Sequence, residues 1–362
     1  MNSPIKPPEQ LRASIERFER CFWSKQTTDR PPVAVVPERI WTPIDYRREP
    51  FPEEYVTPED VRAGAVATEY EACAVGRGVV TDDWMPFSAA WRGVPWLEAI
   101  CGCRVRHSGG SLSPERFVDS PAALAAAPVP ASDAWLGRLR SETARLAAEA
   151  PADCWISTSI FRGCADVLAA MRGLDEFCLD LHDNPEALAA AAARVKRLHA
   201  SVLDEHFRQV PPKLGGYGHI FGYWAPGPTT VLQEDIMGLC SPGMYRDLFK
   251  CHTAELAARV GRYTLFHLHS TGYRHFRHVL DIPSIAGLQM TVEASGPPLR
   301  ALVPALREIL ERSRLILLVD GHFEDLSAAL RALPREGLYL AISSRYIADE
   351  ESFRSFVRAN LG

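Results

Sequence analysis

Apolar residues follow two different periods along this chain, and the period predicts where helices and strands lie. Leu11, Ile15, Phe18 and Phe22 recur at the spacing of an amphipathic helix near the amino terminus. In the last third of the chain, short apolar runs alternate with segments of helical period. Strands that alternate with helices predict a parallel sheet with right-handed crossovers and helices on both faces.

The predicted strands are short apolar runs that end in polar or turn-forming residues. They lie at 33–36, 79–80, 155–159, 263–269, 285–290, 315–319 and 338–342. Helix-start signals, such as the Ser or Thr before an acidic first turn and the Pro at the first helical position, place helices between them. These helices are predicted at 11–22, 58–73, 133–146, 185–202, 242–256, 299–310 and 323–333, with a short one that ends near 280.

The expected fold class is α/β. No Gly-x-Gly-x-x-Gly turn follows any predicted strand, which favours a closed barrel over a dinucleotide-binding sheet. No Gly/Ser-rich joint divides the chain, so one domain is expected. The prediction is a single (β/α)8 TIM barrel over residues 1–362, with a helical and irregular extension at 1–30.

Composition limits the classes of partner. The 362 residues carry a formal net charge of -5, which gives no reason to expect nucleic acid or an anionic membrane. No apolar run approaches the roughly 20 residues of a membrane helix, and the amino terminus lacks an apolar signal core. The nine cysteines are odd in number and scattered, unlike a disulfide framework. A cytoplasmic protein with a small-molecule substrate is expected, and a homodimer is left open.

His267 and His269 are the strongest candidates for chemistry. Residues two apart in a strand point to the same side, so both imidazoles would project together if Leu265 points into the barrel. They lie at the carboxyl end of their strand, where parallel α/β proteins place their active sites. The pair predicts a metal or an anionic substrate; the alternative is two neutral, hydrogen-bonded structural histidines.

Polar residues after the later strands could complete such a site. His322 follows Asp320 at a strand end and is a candidate third nitrogen ligand, although a Gly turn with a capping Asp would look the same. Glu293 is a further candidate ligand. Ser344 and Arg345 follow the last strand and would hold a carboxylate or phosphate, unless they form a simple polar loop.

Two earlier segments supply further candidates. Asp82 and Asp83 are interpreted as anions or proton acceptors at the barrel mouth, or as acids on a solvated turn. A glycine-rich segment lets the backbone approach a ligand and contains His219, a candidate catalytic residue. Tyr217 and Trp224 are candidate substrate-binding aromatics, with core packing as the alternative.

Several segments, in their order along the chain, resemble the uroporphyrinogen decarboxylase superfamily, which includes the decarboxylase and the zinc-dependent corrinoid methyltransferases. The resemblance implies a single distorted barrel with its pocket at the carboxyl ends of the strands. The resembling stretches are Val80-Thr81-Asp82-Asp83, Gly93 to Ile100, Leu168 to Gly173, Asp183-Asn184-Pro185-Glu186, Ser241-Pro242 and Phe266 to Gly272.

The decarboxylase branch is the poorer match. Its amino-terminal Arg-Gln-Ala-Gly-Arg motif, which holds acetate side chains, is absent at 30–35. Its Gly-His-Gly near the carboxyl terminus is replaced by the sequence at 342–345. Asp82 is the nearest match to the aspartate that orients pyrrole N–H groups. The resemblance therefore argues against porphyrinogen decarboxylation.

The methyltransferase branch matches better at one motif, His-x-Cys on the strand of the histidine pair. His267 fits its first position and His269 stands in place of the Cys, while the later Cys ligand is missing. The resemblance implies zinc and a corrinoid, as cofactor or on a partner protein. A histidine and oxygen ligand set would leave zinc more electrophilic than thiolates do.

The expected function is metal-assisted methyl transfer that involves a corrinoid. His267 and His269 would bind zinc, His322 or Glu293 would complete the site, and Asp82 would contact the substrate or a tetrapyrrole. Two alternatives stay open: a decarboxylase-like tetrapyrrole lyase, and a non-catalytic protein that binds a corrinoid or tetrapyrrole.

Overall fold

Thirteen strands, most of them short, form the sheets of the computed structural model, which describes residues 6–36, 51–52, 54–61, 79–90, 93–109 and 111–361. The strands are β1 Val33–Val36, β2 Tyr55–Val56, β3 Phe87–Ser88, β4 Arg104–Ser108, β5 Ser111–Glu115, β6 Trp155–Ile156, β7 Tyr217–Gly218, β8 Trp224–Ala225, β9 Val231–Leu232, β10 Thr264–His269, β11 Ile285–Val292, β12 Leu315–Val319 and β13 Leu338–Ser343.

Helices connect and cover these strands. They are α1 Pro8–Arg17, a π-helix Phe18–Trp23, α2 Trp96–Ile100, α3 Pro121–Ala126, α4 Asp133–Glu149, α5 Cys164–Arg172, α6 Leu174–Asp183, α7 Pro185–Gln209, α8 Pro242–Leu248, α9 Lys250–Val260, α10 Phe276–Leu280, α11 Leu299–Arg312, α12 Leu326–Ala332 and α13 Glu350–Asn360. Short 3-10 helices span Asp235–Leu239, Ser270–His275 and Phe323–Asp325. Within the described residues, none of the helices combines the length and apolar character needed to cross a bilayer.

The main sheet has six parallel strands in the order β1-β13-β12-β11-β10-β9. The predicted α/β class and parallel sheet are therefore confirmed. β3 and β6 form a separate parallel pair, β2, β4 and β5 form an antiparallel sheet, and β7 and β8 form a hairpin. β10 lies between β9 and β11, so residues that follow β9 and β11 meet the carboxyl end of β10.

Side chains alternate between two buried clusters along the strands, as the two-residue period of a strand requires. Phe266 and Leu268 of β10 lie in the larger cluster, which contains the apolar faces of the helices. Leu265 lies in the other cluster with Ile316 and Tyr339, and this inner cluster also receives residues from β1, β3, β6 and β9. Leu265, His267 and His269 thus belong to the inner side of the sheet.

The amino-terminal helix forms where the apolar stripe predicts it and continues as a π-helix. Its aromatic residues close one end of the inner cluster. Phe18 packs on Tyr339 with ring centroids 5.0 Å apart, and the Trp23 indole N–H donates to the Trp224 carbonyl at 2.7 Å. The aromatic residues of the π-helix therefore cover the end of the sheet opposite to the histidine pair.

Some predicted elements differ from the structure. Val79 and Val80 form no strand, because the Glu350 carboxylate accepts the Val80 and Thr81 N–H groups in place of a neighbouring strand. The strand predicted at 155–159 stops at Ile156, and the helix predicted at 242–256 is broken at Phe249. Of the helix predicted at 58–73, residues 58–61 form a turn, and residues 62–73 lie outside the described residues.

Candidate metal centre

The two histidines of β10 lie side by side at its carboxyl end. Their ring centroids are 4.5 Å apart, and the ring planes are inclined by 81°. The His267 side chain is 8% exposed and that of His269 is 43% exposed, so the pair runs from the interior to an accessible surface. This placement follows from strand geometry, which sets both side chains on the inner face.

Each imidazole is oriented by an acceptor on or just after the neighbouring strand β11. Gln289 is the register partner of His267, and its amide oxygen accepts the His267 Nδ1 hydrogen. The Glu293 carboxylate accepts the Nδ1 hydrogen of His269 in the same way. Gln289 also donates to Thr291 Oγ1 at 3.0 Å, which uses the amide nitrogen while the amide oxygen faces the histidine. Both Nε2 atoms are thereby left as the metal-binding atoms.

A carboxylate completes the constellation. Asp235 Oδ1 lies 3.9 Å from His267 Nε2 and 3.8 Å from His269 Nε2. One ligand atom from each of the three residues lies within 4.8 Å of the others. Asp235 begins the 3-10 helix that follows β9, the strand beside β10. Two nitrogens and one carboxylate oxygen therefore converge from adjacent strand ends.

These three residues fit a divalent transition metal. Two ligands of a tetrahedral zinc lie roughly 3.4 Å apart when the bonds are about 2.1 Å long. The Nε2–Oδ1 distances of 3.8 and 3.9 Å need to shrink by roughly half an ångström to meet that geometry. A set of two histidines and one carboxylate suits zinc or iron(II) and leaves coordination positions for other ligands.

Burial and hydrogen bonding give the three residues different proton affinities. Burial lowers the pKa of His267 to about 4, so this imidazole is neutral near pH 7 and ready to bind a metal. The hydrogen bond to Glu293 raises the pKa of His269. Burial raises the pKa of Asp235, against the opposite pull of His269. The Glu293 pKa is lowered although burial opposes this, because His269 and Ser270 donate to its carboxylate.

The structure separates the predicted metal ligands into two groups. His267 and His269 lie in the group of possible ligands with Asp235. Glu293 instead binds the Nδ1 atom of His269, on the side of the ring that faces away from Nε2. His322 instead places its Nε2 3.2 Å from the Gly296 carbonyl oxygen, at a left-handed backbone position with φ 54°. Its role as a ligand stays a prediction.

Ser344 and Arg345, which follow β13, contact the end of β1 and the residue after β12. Arg345 forms an ion pair with Asp320, which follows β12. The Ser344 backbone N–H donates to the Val36 carbonyl at 2.8 Å and so extends the pairing of β13 with β1. Their roles in substrate binding stay predictions.

Asp82 and Asp83 are fully buried against the edge of β1. Asp82 accepts the N–H of Val35 and Asp83 accepts that of Val33, each at 2.9 Å. Burial alone would raise the pKa of Asp83, but the neighbouring arginines, above all Arg30, lower it. The two carboxylates take up backbone donors that a further strand would otherwise satisfy, and their catalytic role stays a prediction.

His219 reaches the histidine pair through a ring stack. It stacks on Phe221 at 5.6 Å, and Phe221 stacks on His267 at 5.9 Å. Burial lowers the pKa of His219 to about 3, which keeps this imidazole neutral. Tyr217 packs against Phe207 rather than in this stack, and Trp224 lies in the inner cluster. The predicted roles of these residues in catalysis and substrate binding remain untested.

A cavity of about 380 Å³ opens beside Asp235. Two acids and one base line it, namely Asp235, Asp166 and Arg162. The Arg162 guanidinium lies 3.3 Å from the buried Glu98 carboxylate and is 42% exposed. The rest of the wall is apolar and consists of Pro114, Ala169, Ala170, Leu174, Ile236 and Leu239.

Asp235 is the site residue that the sequence analysis missed. Its strand, β9, has two residues, too few to display a period. The available signal was the acidic pair Glu234-Asp235 one residue after the short run Val231-Leu232, which places carboxylates just past a strand end.

Comparison with known proteins identifies a structural neighbour. No protein-family model and no curated protein sequence matches the chain significantly. A solved structure, a methyltransferase from Methanosarcina mazei, superposes with a TM-score of 0.61 at 15% sequence identity. The match covers 99% of this chain and 98% of the other. The chain therefore has the fold of that protein along its whole length.

Proposed function

We propose that this chain is a metal-dependent methyltransferase whose metal is held by Asp235, His267 and His269. The observation that carries the proposal is the convergence of three ligand atoms within 4.8 Å, with both Nδ1 atoms already occupied. The fold shared with a methyltransferase over nearly the whole chain supports methyl transfer as the reaction. Zinc is the proposed metal, and the resemblance to the corrinoid methyltransferases supports a corrinoid as the methyl carrier.

When bound, the metal would supply a Lewis acid that polarises an oxygen or sulfur atom of the substrate. The protein groups prepare the site for this task. Gln289 and Glu293 hold the two rings so that each Nε2 faces Asp235. Burial keeps His267 neutral, and the Asp235 carboxylate offsets part of the metal charge. Within the residues that the structure describes, no cysteine joins this ligand group, which favours an oxygen-bearing substrate over a thiol.

The cavity beside Asp235 is the proposed substrate site. Asp166 already accepts three backbone N–H groups, and Asp235 faces the imidazoles. Arg162 contacts Glu98 at 3.3 Å and makes no hydrogen bond within the described part of the chain. The guanidinium donors that do not face Glu98 are therefore available to a carboxylate or similar anion. The substrate class that fits is a small organic anion with an apolar portion.

The sheet fits a closed eight-stranded barrel, which we include in the proposal. Eight parallel strands follow one another along the chain if β3 and β6 are counted with the six-stranded sheet. Among the described strands, pairing is missing between β1 and β3 and between β6 and β9, and side chains bind the strand edges at these two places. Asp82 and Asp83 bind the edge of β1, and the His219 imidazole lies 3.3 Å from the Val231 N–H on β9.

The cavity argues against a tetrapyrrole lyase. Such a substrate carries several carboxylates and requires several cations around it, as the resemblance to the decarboxylases implies. Arg162 is accompanied by Asp166 and Asp235 among the groups that line the cavity. A ligand with one anionic group suits this charge balance better than a polycarboxylate does.

Metal analysis and a methyl-transfer assay test the proposal. Protein purified without a polyhistidine tag should contain about one equivalent of divalent metal, and His267→Ala and Asp235→Ala should each abolish stoichiometric binding. His182→Ala is the matched control, because it removes an exposed histidine in the last turn of α6, outside the group, and should leave the metal content unchanged. Methyl transfer from methylcobalamin to a carboxylate-bearing acceptor should follow metal content across the series. A metal-free wild type, or metal binding by Asp235→Ala equal to that of the wild type, would contradict the proposal.

A further inference from the structure

Two buried carboxylates cross-link the segment that carries Asp235 to the start of helix α5. Asp166, in the first turn of α5, is 8% exposed, and Glu234, directly before Asp235, is 4% exposed. Each uses both carboxylate oxygens to bind the backbone of the other's segment. Two carboxyl groups buried in this way require such donors, because a buried carboxyl group without hydrogen-bond partners is strongly destabilising.

Asp166 binds the backbone on either side of the metal ligand. Its Oδ2 accepts the Asp235 N–H at 3.0 Å, and its Oδ1 accepts the Ile236 N–H at 2.8 Å. Oδ2 also accepts the Gly163 N–H at 3.2 Å. One carboxylate thus ties the first two residues of the 3-10 helix to the loop before α5.

Glu234 makes the reciprocal contacts. Its Oε1 accepts the Cys164 N–H at 2.9 Å, and its Oε2 accepts the Ala165 N–H at 2.8 Å. The positive end of the α5 dipole adds to these bonds. Gly163 makes the approach sterically feasible, since a Cβ there would overlap the Glu234 carboxyl group and the Gln233 carbonyl. Its φ of -75° is open to any residue, so the glycine is required for space rather than for conformation.

We propose that Asp166 and Glu234 are positioning residues, which fix the Asp235 carboxylate against the two imidazoles through the backbone of 234–236. The inference rests on the proposed metal site. The Asp235 side chain is 39% exposed and, among the described residues, has only a 3.4 Å hydrogen bond from Gln233 besides its 3.8 and 3.9 Å approaches to the histidines. Its place is therefore set by its backbone, and the backbone is held by Asp166.

Asp166→Asn tests this role. The substitution preserves the shape of the side chain but replaces one oxygen by an NH2 group. That group cannot accept a hydrogen bond and repels the backbone N–H groups that the oxygen had bound. Titration with Co²⁺ should show a dissociation constant about 10–100-fold larger than that of the wild type, with an altered cobalt absorption spectrum. In the metal-free protein, hydrogen–deuterium exchange of residues 233–239 should be faster. This change reports the loss of the Asp166 hydrogen bonds to the backbone of 235 and 236 without any metal.

Asp349→Asn is the matched control. Asp349 caps helix α13, where its Oδ1 accepts the Ser352 N–H at 2.8 Å, so the same chemistry is removed far from the histidines in sequence. This variant should bind Co²⁺ as the wild type does. If Asp166→Asn does not fold, Glu234→Gln takes its place, because it keeps the side-chain length and one acceptor oxygen, and its dissociation constant should rise in the same direction.

The outcomes separate the two proposals. A wild type that binds no Co²⁺ overturns the proposed metal site and this inference with it. A wild type that binds Co²⁺, together with a folded Asp166→Asn or Glu234→Gln that binds equally well, overturns the positioning role alone.

Discussion

Replacing Glu293 by Gln tests how the protein controls the exposed histidine of the pair. The Glu293 carboxylate accepts the Nδ1 hydrogen of His269 with one oxygen and the Ser270 hydroxyl with the other, at 2.7 Å. Glutamine has the same shape but no charge, so the substitution keeps the packing and removes the charge-assisted bond. The lost charge acts first on the His269 ring that it hydrogen-bonds and, at longer range, on Asp235 and His267.

Two consequences of Glu293→Gln have opposite pH signatures. Loss of a supporting carboxylate behind a ligand histidine should weaken metal binding about 10–100-fold, or about 1.4–2.8 kcal/mol, at pH values where His269 is neutral. Glu293 also raises the pKa of His269, and a proton on Nε2 excludes the metal. In the wild type, metal affinity should fall as the pH decreases through that raised pKa. In the variant the fall should begin at a lower pH.

The assay is a competition titration with zinc and a chromophoric chelator between pH 5.5 and 8.5. Glu308→Gln serves as the control, since Glu308 pairs with the exposed Arg277 and faces no ligand. We expect the control to follow the wild-type curve. If Glu293→Gln keeps both the affinity at pH 8 and the wild-type midpoint, the carboxylate does not govern His269 and the reasoning is refuted.

Two further predictions concern Arg162 and Asp83. Arg162→Ala should raise the KM for an anionic substrate about 10–100-fold with a smaller change in kcat, and Arg162→Lys should recover only part, because an ammonium lacks the planar fork; steady-state kinetics measure both. Asp83→Asn should destabilise the fold by about 3–5 kcal/mol in urea unfolding, since it removes the carboxylate partner of the largely buried Arg30 and leaves Arg17 with Asp29 alone. Asp29→Asn, at a 64% exposed partner of Arg17, should cost less than about 1 kcal/mol.

The sequence was sufficient to predict β10, β11, β12 and β13 because these strands are buried on both faces. Their apolar runs are long enough to display a strand, and the two-residue period places Leu265, His267 and His269 on one side. The inner cluster and the larger cluster follow the same alternation of side chains. The placement of the histidine pair could therefore be predicted from local pattern alone.

Contacts between distant segments could not be predicted in this way. Asp235 joins the histidines because β9 pairs with β10, although β9 has two residues and Asp235 lies 32 positions before His267. The same holds for Asp82 and Asp83, which follow no strand and instead satisfy the N–H groups of β1. In each case a carboxylate is placed by strand order, and strand order depends on the whole chain.

The length of the side chain at position 269 decides whether its ligand atom can reach the metal site. His269→Cys would test this. Imidazole Nε2 lies three bonds beyond Cβ, whereas a cysteine sulfur lies one bond beyond it, so a thiolate at this position falls short of the point between His267 and Asp235. Glu293 would also lose the Nδ1 hydrogen that it now accepts and would face a thiolate of like charge. We therefore expect His269→Cys to bind Co²⁺ no better than His269→Ala, without the sulfur-to-cobalt absorption band. A strong band with wild-type affinity would mean that the strand end can move, and that a histidine here is one of two workable ligands rather than the one that this geometry selects.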